Sequence, residues 1–345
     1  MTERNHCAIA VQLNDSTVYT MLNTVHLITC VLSIVLAFRL QNAWHSRVYF
    51  HANVKMLLTT MLCLAVVHAI TMSSFLFLNL FSWLFADDSC DSLMFNGTMC
   101  LFLRHPTNVC IAGLVLCQLS IAVERVVATW IGPEYNTYSN KIGRILSVST
   151  IVCSIVLLGP LLASETTEEK QINCGFPSSA AATHNWMLML ELLAIDVLSV
   201  LVFLIVYGVS KYMKTGAMFQ LERRYQINET LYVTKLLLPV TFVHFLLFAI
   251  LCSAIIFIEM IFEDAFTIIY YEVIFYTAPF YTVLFPLIIL HVIKQLDQNR
   301  KEKITVLVSE EVSGQPGTRA HFESLDRMWG CSTPVKGGSP RPTPV

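Results

Sequence analysis

The groups able to do chemistry in this sequence of 345 residues are few and scattered. Glu124 and Arg125 stand side by side, Arg104 lies upstream of them, and the acids Glu191, Asp196 and Glu272 sit inside otherwise apolar runs. Histidines 26, 68 and 244 lie in similar runs, with His291 near the end of another. A covalent or acid–base site needs a nucleophile, a base and an orienting group in mutual reach, and a catalytic zinc needs three protein ligands around one point. No paired His motif and no metal-type cysteine spacing occurs, so neither a metal nor a cofactor is expected and an enzyme is the least favoured class. The histidines read as isolated polar contacts between helices, and Glu124-Arg125, at its plainest, as a charged pair where a helix leaves the bilayer.

What must position these residues is a set of long apolar segments. Hydrophobic residues make up 55% of the chain and charged residues 13%, against about 25% charged in a typical soluble domain. A membrane-spanning helix needs about 20 apolar residues. Seven segments qualify, at about 19–38, 56–81, 106–123 (ending on Glu124-Arg125), 145–164, 186–210, 236–258 and 266–293. The runs are continuous rather than alternating, which favours helices over a β-barrel. The expected fold is an all-α membrane protein, a seven-transmembrane helix bundle over 19–293, with a tail at 1–18 and another at 294–345. The second tail opens on a basic stretch, Lys294 to Lys303, and from about Ser309 has too little apolar surface to offset chain entropy, so disorder is expected there.

Lys and Arg concentrate in cytoplasmic loops. With the amino terminus outside, the outer segments hold Arg4, Arg104 and Lys170, and the other 19 of the 22 basic residues fall inside. That polarity is the expected one. No cleavable signal peptide is expected, since a basic n-region followed by a short apolar core and cleavage site is lacking. Asn14-Asp-Ser and Asn96-Gly-Thr are then glycosylation acceptors on the outer side, and Asn228-Glu-Thr, on the inner side, stays unmodified. Of the eleven cysteines, those at 30, 63, 110, 117, 153 and 252 lie in spans and read as small buried hydrophobes. Cys90, Cys100 and Cys174 face the oxidising side, Cys7 is a fourth candidate there, and Cys331 is expected as a free thiol.

A carboxylate at mid-bilayer costs roughly 2.5–3.5 kcal/mol on insertion scales and so faces the bundle interior or a wet cavity. Asp196, the deepest, divides between a hydrogen bond across helices and a pocket function, whereas Glu191 and Glu259 read as boundary residues. Glu272 is expected to line an outer cavity opposite Arg104. The aromatic run that includes Tyr270, Tyr271, Tyr276 and Tyr281 reads as packing or interface belt, with part of it available to an apolar pocket.

Cys100 at the start of the third span, Cys174 in the next outer loop and Glu124-Arg125 at the inner end together resemble the rhodopsin-like receptor pattern. That resemblance implies a Cys100–Cys174 bridge and a receptor architecture. Departures are clear: no Cys-Trp-x-Pro in the sixth span, no Asn-Pro-x-x-Tyr in the seventh, and no lysine inside the seventh span for a retinal Schiff base. Leu221-Glu-Arg-Arg-Tyr-Gln-Ile-Asn-Glu-Thr230 followed by Lys235-Leu-Leu-Leu-Pro239 is similar to the nematode serpentine chemoreceptors of the alpha superfamily, and best matches class alpha/beta. Glu124-Arg-Val-Val-Ala-Thr129 and Pro279-Phe-Tyr281 before Pro286 add to the likeness, which covers about 19–300. It implies a chemosensory G-protein-coupled receptor in the plasma membrane, in the sensory cilium of chemosensory neurons. A volatile or water-soluble cue is then expected between the outer halves of helices three, five, six and seven, near Arg104, Asp196, Glu272 and Tyr276. A heterotrimeric G protein is expected at Glu124, Arg125, Arg223, Arg224, Tyr225 and Lys235. No nucleic-acid partner is expected. The rival readings are a seven-helix transporter, which calls for paired repeats with broken spans, and a ligand-gated channel, which calls for a polar face along one helix.

Overall fold

The structure is a computed structural model that describes residues 3–47, 51–85, 94–132, 134–135, 140–165, 170–175, 181–216, 221–262 and 264–312. Seven of its helices are long and apolar enough to cross a membrane, and the protein is a multi-pass membrane protein. The first three spans are Thr17–Arg47, Ala52–Phe85 and Gly97–Ile131. The fourth is Lys141–Leu157, continued by Gly159–Ser164, and the fifth and sixth are Ala182–Gly216 and Leu221–Ile261. The seventh is broken into Ala265–Phe275 and Ala278–Val312. Every helix outruns the apolar segment that announced it, because hydropathy marks only the part that suits hydrocarbon while the backbone stays helical through the polar interface.

The amino-terminal segment, expected only as a tail, carries a helix, Glu3–Asp15. Leu13 is buried against Tyr19 and Val273, with Ile9 packed beside them, so one edge of this helix lies on the first and seventh spans. At the other end of the chain, residues from Val292 onward form a separate compact unit, and the helix continues to Val312. Ser309 to Val312 are therefore helical, and the rest of the stretch expected to be disordered lies outside the described residues.

The third span is the axis of the bundle: 67% of its most apolar window is buried, against 28% in the fourth and fifth. An apolar core joins it to the fourth, fifth and sixth spans through Ile111, Val115, Leu158, Leu192, Phe248 and Leu251. Lipid tails are as apolar as Leu, so side-chain hydrogen bonds and close packing must add to the adhesion between helices. Ser120 meets Thr150 at 2.8 Å, Thr60 meets Ser147 at 3.1 Å, and the Cys117 thiol donates to the Leu57 carbonyl at 3.3 Å. At the amino-terminal end of the third span, Asn96 Oδ1 caps the helix by accepting from the Thr98 amide at 3.0 Å. A two-residue strand, β1 (Phe95–Asn96), pairs antiparallel with β2 (Lys170–Gln171), Phe95 opposite Gln171. The Cys100–Cys174 disulfide sits beside this pairing and ties the segment after β2 to the third span. Cys7 is also disulfide-bonded.

The break in the seventh span has a sequence cause. Pro279 has no amide proton, and its ring collides with the carbonyl four residues back, which is that of Phe275, the last residue before the break. Residues 276 and 277 leave the helix, so the Val273 carbonyl loses the Thr277 amide as its helical donor. The Tyr276 amide still reaches the Val273 oxygen at 3.4 Å, and His26 Nε2 of the first span adds a second donor at 3.1 Å. Pro286, further along, frees the carbonyl of Thr282 by the same rule, and Ser33 donates to that oxygen at 3.0 Å. His26 and Ser33 lie seven positions apart, two helical turns, and so share one face.

The disulfide closes a separation of 74 residues. Cys100→Ser is expected to cost about 2–4 kcal/mol of stability in a thermal melt of the purified protein. Cys174→Ser should cost the same and the double variant no more. Additive losses in the double variant would show that the two cysteines act separately.

Candidate functional site

Two polar sites lie at opposite ends of the third span. At its carboxyl-terminal end Glu124 and Arg125 are both buried, 0% and 1% exposed. Arg125 forks onto its neighbour, Nε to Oε2 and Nη2 to Oε1, each at 2.5 Å. The Tyr135 hydroxyl, on a short 3-10 turn beyond the helix, donates to Glu124 Oε1. Asn53 Nδ2 donates to the Tyr135 oxygen at 2.7 Å, and Asn53 Oδ1 accepts the Gly143 amide at 3.0 Å. The His51 ring packs on Tyr135 with centroids 4.6 Å apart. Burial and then the Glu124 carboxylate push the Tyr135 pKa up, so its hydroxyl stays protonated as a donor.

A buried ion pair is costly unless its remaining lone pairs and protons are satisfied. Tyr135 and Asn53 do that here, and in doing so they join the third span, the turn after it, and the beginnings of the second and fourth spans. Glu229 of the sixth span is close enough to act electrostatically on Arg125. Arg223 lines a small cavity of about 10 Å³ with Thr129, Ser210 and Thr230, where the third, fifth and sixth spans meet. Lys235 is exposed; the side chains of Arg224 and Tyr225 lie outside the described residues.

Near mid-bundle, Asp196 is fully buried and accepts from His244 Nδ1 at 3.1 and 3.2 Å. The His244 ring meets Tyr281 edge-on at 4.3 Å. Of the two roles left open for Asp196, the geometry displays the hydrogen bond across helices, fifth span to sixth. Glu191 is exposed.

At the amino-terminal end of the third span is a cavity of about 60 Å³. Its polar lining comes from Asn23 and His26 of the first span, Arg104 and Asn108 of the third, Asn173 beside the disulfide, and Tyr276 at the break in the seventh. Met72 and Phe75 of the second span supply an apolar wall. Helices five and six contribute no lining residue to this cavity among those described. Between spans three, six and seven lies a smaller cavity of about 20 Å³, lined by Ile111 and Leu114, by His244 and Leu247, and by Thr277 and Tyr281.

Arg104 is buried and forms an ion pair with Glu165 at 2.5 Å, and its Nη1 donates to Gln171 Oε1 at 3.1 Å. The acid of this pair, Glu165, stands at the end of the fourth span. Glu272 is buried next to Val273 but is not among the described lining residues. Tyr276 reaches His68 of the second span, oxygen to Nε2 at 3.2 Å. Tyr135, Asn53, Gly143 and His26 were not singled out as site residues. For His26 a signal existed, since it and Ser33 interrupt one face of an apolar helix at a spacing of seven. For Tyr135, in a loop, there was none.

Gly143 marks how tightly the Arg125 end is built. A Cβ there would sit 2.8 Å from Asn53 Cα and 3.0 Å from its carbonyl oxygen, both backbone atoms that cannot rotate away. Gly143→Ala is expected to lower stability by about 1–3 kcal/mol despite the better helix propensity of alanine. A melting temperature equal to wild type would refute the tight approach.

A family model described as the serpentine type 7TM GPCR chemoreceptor Sra matches residues 2–329. Serpentine receptor class alpha-10 of Caenorhabditis briggsae is 26% identical over 87% of this chain and 90% of its own. Its counterpart of the same name in Caenorhabditis elegans is 24% identical over 88% and 90%. Serpentine receptor class alpha/beta-14 of Caenorhabditis elegans, from the class that the inner-loop motif suggested, is 24% identical over 70% of this chain and 64% of its own. With seven spans, a broken seventh helix and a family match along nearly its whole length, this chain belongs to the Sra family of serpentine seven-transmembrane chemoreceptors.

Proposed function

We propose that this chemoreceptor binds a small-molecule cue in the cavity beside Arg104 and Tyr276 and signals through a heterotrimeric G protein at the Arg125 end. The observation that carries the reading is the closed Arg125–Glu124–Tyr135–Asn53 network, set at the far end of the helix that also lines the cavity. A bistable polar lock and a pocket on one rigid element are what a signal across a membrane requires. A cue shifts the balance only by its differential affinity for two arrangements. In the resting arrangement Arg125 is occupied by Glu124; in the active one the fork opens and Arg125, with Arg223, Arg224, Tyr225 and Lys235, meets the G protein.

The amino terminus and the cavity face outward, and the Arg125 end faces the cytoplasm of the plasma membrane, at the sensory cilium. Support comes from the basic residues, 19 of 22 of which fall on the inner side under that orientation. Glycans then attach at Asn14 and Asn96. The Asn96 cap uses only Oδ1, so its Nδ2 is available for the sugar. Arg104 and Glu165 hold the rim of the pocket closed as an ion pair, while Asp196 and Glu272 act on the site from a distance, by fixing the helices that carry it.

A G-protein reporter assay in cells, with surface expression measured in parallel and a panel of volatile and water-soluble cues applied, tests the reading. Arg125→Ala is expected to abolish the response at unchanged surface level. Tyr135→Phe, which removes a donor from Glu124, is expected to raise signalling without ligand. A full response from Arg125→Ala would end the coupling proposal.

A further inference from the structure

Among the fully buried side chains that line the cavity, one offers a polar atom with no commitment elsewhere; Asn23 is bonded to Tyr19, and Asn108 is only half-buried. Arg104 is engaged by Glu165 and Gln171. Asn173 uses both ends of its amide, donating to the Tyr19 oxygen at 2.6 Å and accepting the Gly175 amide at 2.8 Å. Thr107 donates to the Leu103 carbonyl at 2.9 Å, and Tyr276 is bonded to His68. His26 is different. It is 2% exposed, it lines the cavity, and its Nδ1 has no hydrogen-bond partner among the described residues. Because a carbonyl only accepts, the contact to Val273 assigns the proton to Nε2, and in the neutral ring Nδ1 is left as a bare acceptor. A buried acceptor without a partner carries a desolvation cost that any incoming donor relieves.

We infer that the pocket takes a small uncharged molecule with a single hydroxyl or N–H donor, and that His26 Nδ1 is the acceptor that reads it. The inference rests on the receptor reading above and gives its ligand a chemistry. Size follows from the volume: about 60 Å³ holds roughly four to six water-sized groups at about 10–15 Å³ each. Charge follows from the lining, where the only charge among the described residues, on Arg104, is already balanced by Glu165, so an ionic ligand would be desolvated without a counter-ion. The apolar body of the ligand lies against Met72, Phe75 and Leu103. The same ring carries the message onward. A donor at Nδ1 polarises the imidazole and strengthens the Nε2–H bond to Val273, as hydrogen bonds in a chain do. That bond lands on the Val273 carbonyl beside the Tyr276 amide, at the break in the seventh span, so occupancy is coupled to the geometry of the break.

The test uses the purified full-length receptor in lipid nanodiscs, with empty nanodiscs as the reference, and two isomeric probes: n-pentanol, which has a donor, and butyl methyl ether, which has none. Saturable binding is followed by ligand-detected NMR. n-Pentanol is expected to bind about three- to tenfold tighter than the ether, the ratio that one neutral hydrogen bond supports. His26→Phe keeps the bulk of the ring and removes the Nδ1 acceptor, while the Tyr276 amide still covers the Val273 carbonyl, so it should bind both probes equally. Equal affinities in the wild type, a preference for the alcohol that survives in His26→Phe, or no saturable binding of either probe would each overturn the inference. Binding does not use the G protein, so a silent reporter assay with the alcohol preference intact would defeat the coupling proposal and leave this one standing.

Discussion

Hydrocarbon supplies no hydrogen bonds, so every carbonyl released from a helix inside the bilayer must find its donor in the protein. Pro279 and Pro286 release carbonyls in the seventh span, and the bundle is arranged around answering them. His26 covers Val273 and Ser33 covers Thr282, which sets the rotation and depth of the first span against the seventh. Thr277, in the break itself, donates to the Leu247 carbonyl of the sixth span at 2.7 Å and so holds the other side. A kink that would weaken an isolated helix becomes, in this setting, the joint where three helices meet.

The joint also decides where the protein has room. Helices three to six bury a continuous apolar core that leaves little space. On the side of helices one, two and seven, the polar side chains that serve the break cannot interdigitate like Leu and Ile, and the cavity lies there. The Cys100–Cys174 bridge holds Asn173 and Gly175 over it. The third helix lines the cavity with one end and carries Arg125 at the other. What resists such displacement is the buried fork on Glu124, supported by Tyr135 and Asn53. Breaking one partner out of a buried pair is far costlier than exchanging it for another, which makes the network two-state in character rather than gradually deformable.

Much of this was legible beforehand. The spans, their helical nature and the adjacency of Glu124 and Arg125 at one end of the third span follow from local runs and spacing. The pairing of Arg104 with Glu165 was not: hydropathy does not say which helix leans closer. The cavity beside helices one and two was not legible for a related reason. Helices five and six carry Asp196 and His244 as well as apolar residues, and only the folded bundle shows that these two bond to each other.

By itself the sequence determined that the chain crosses the bilayer seven times and that polar residues are scarce enough for each to need a partner. These are properties of composition and short spacing, where the physics is the transfer of a local segment into lipid. Only the tertiary structure decided which partner each received: His26 with Val273, Asp196 with His244, Tyr135 with Glu124, Arg104 with Glu165. Such contacts join residues that are remote in sequence or held in loops, and their geometry depends on how whole helices rotate and tilt against one another. One-dimensional patterns carry no record of that rotation.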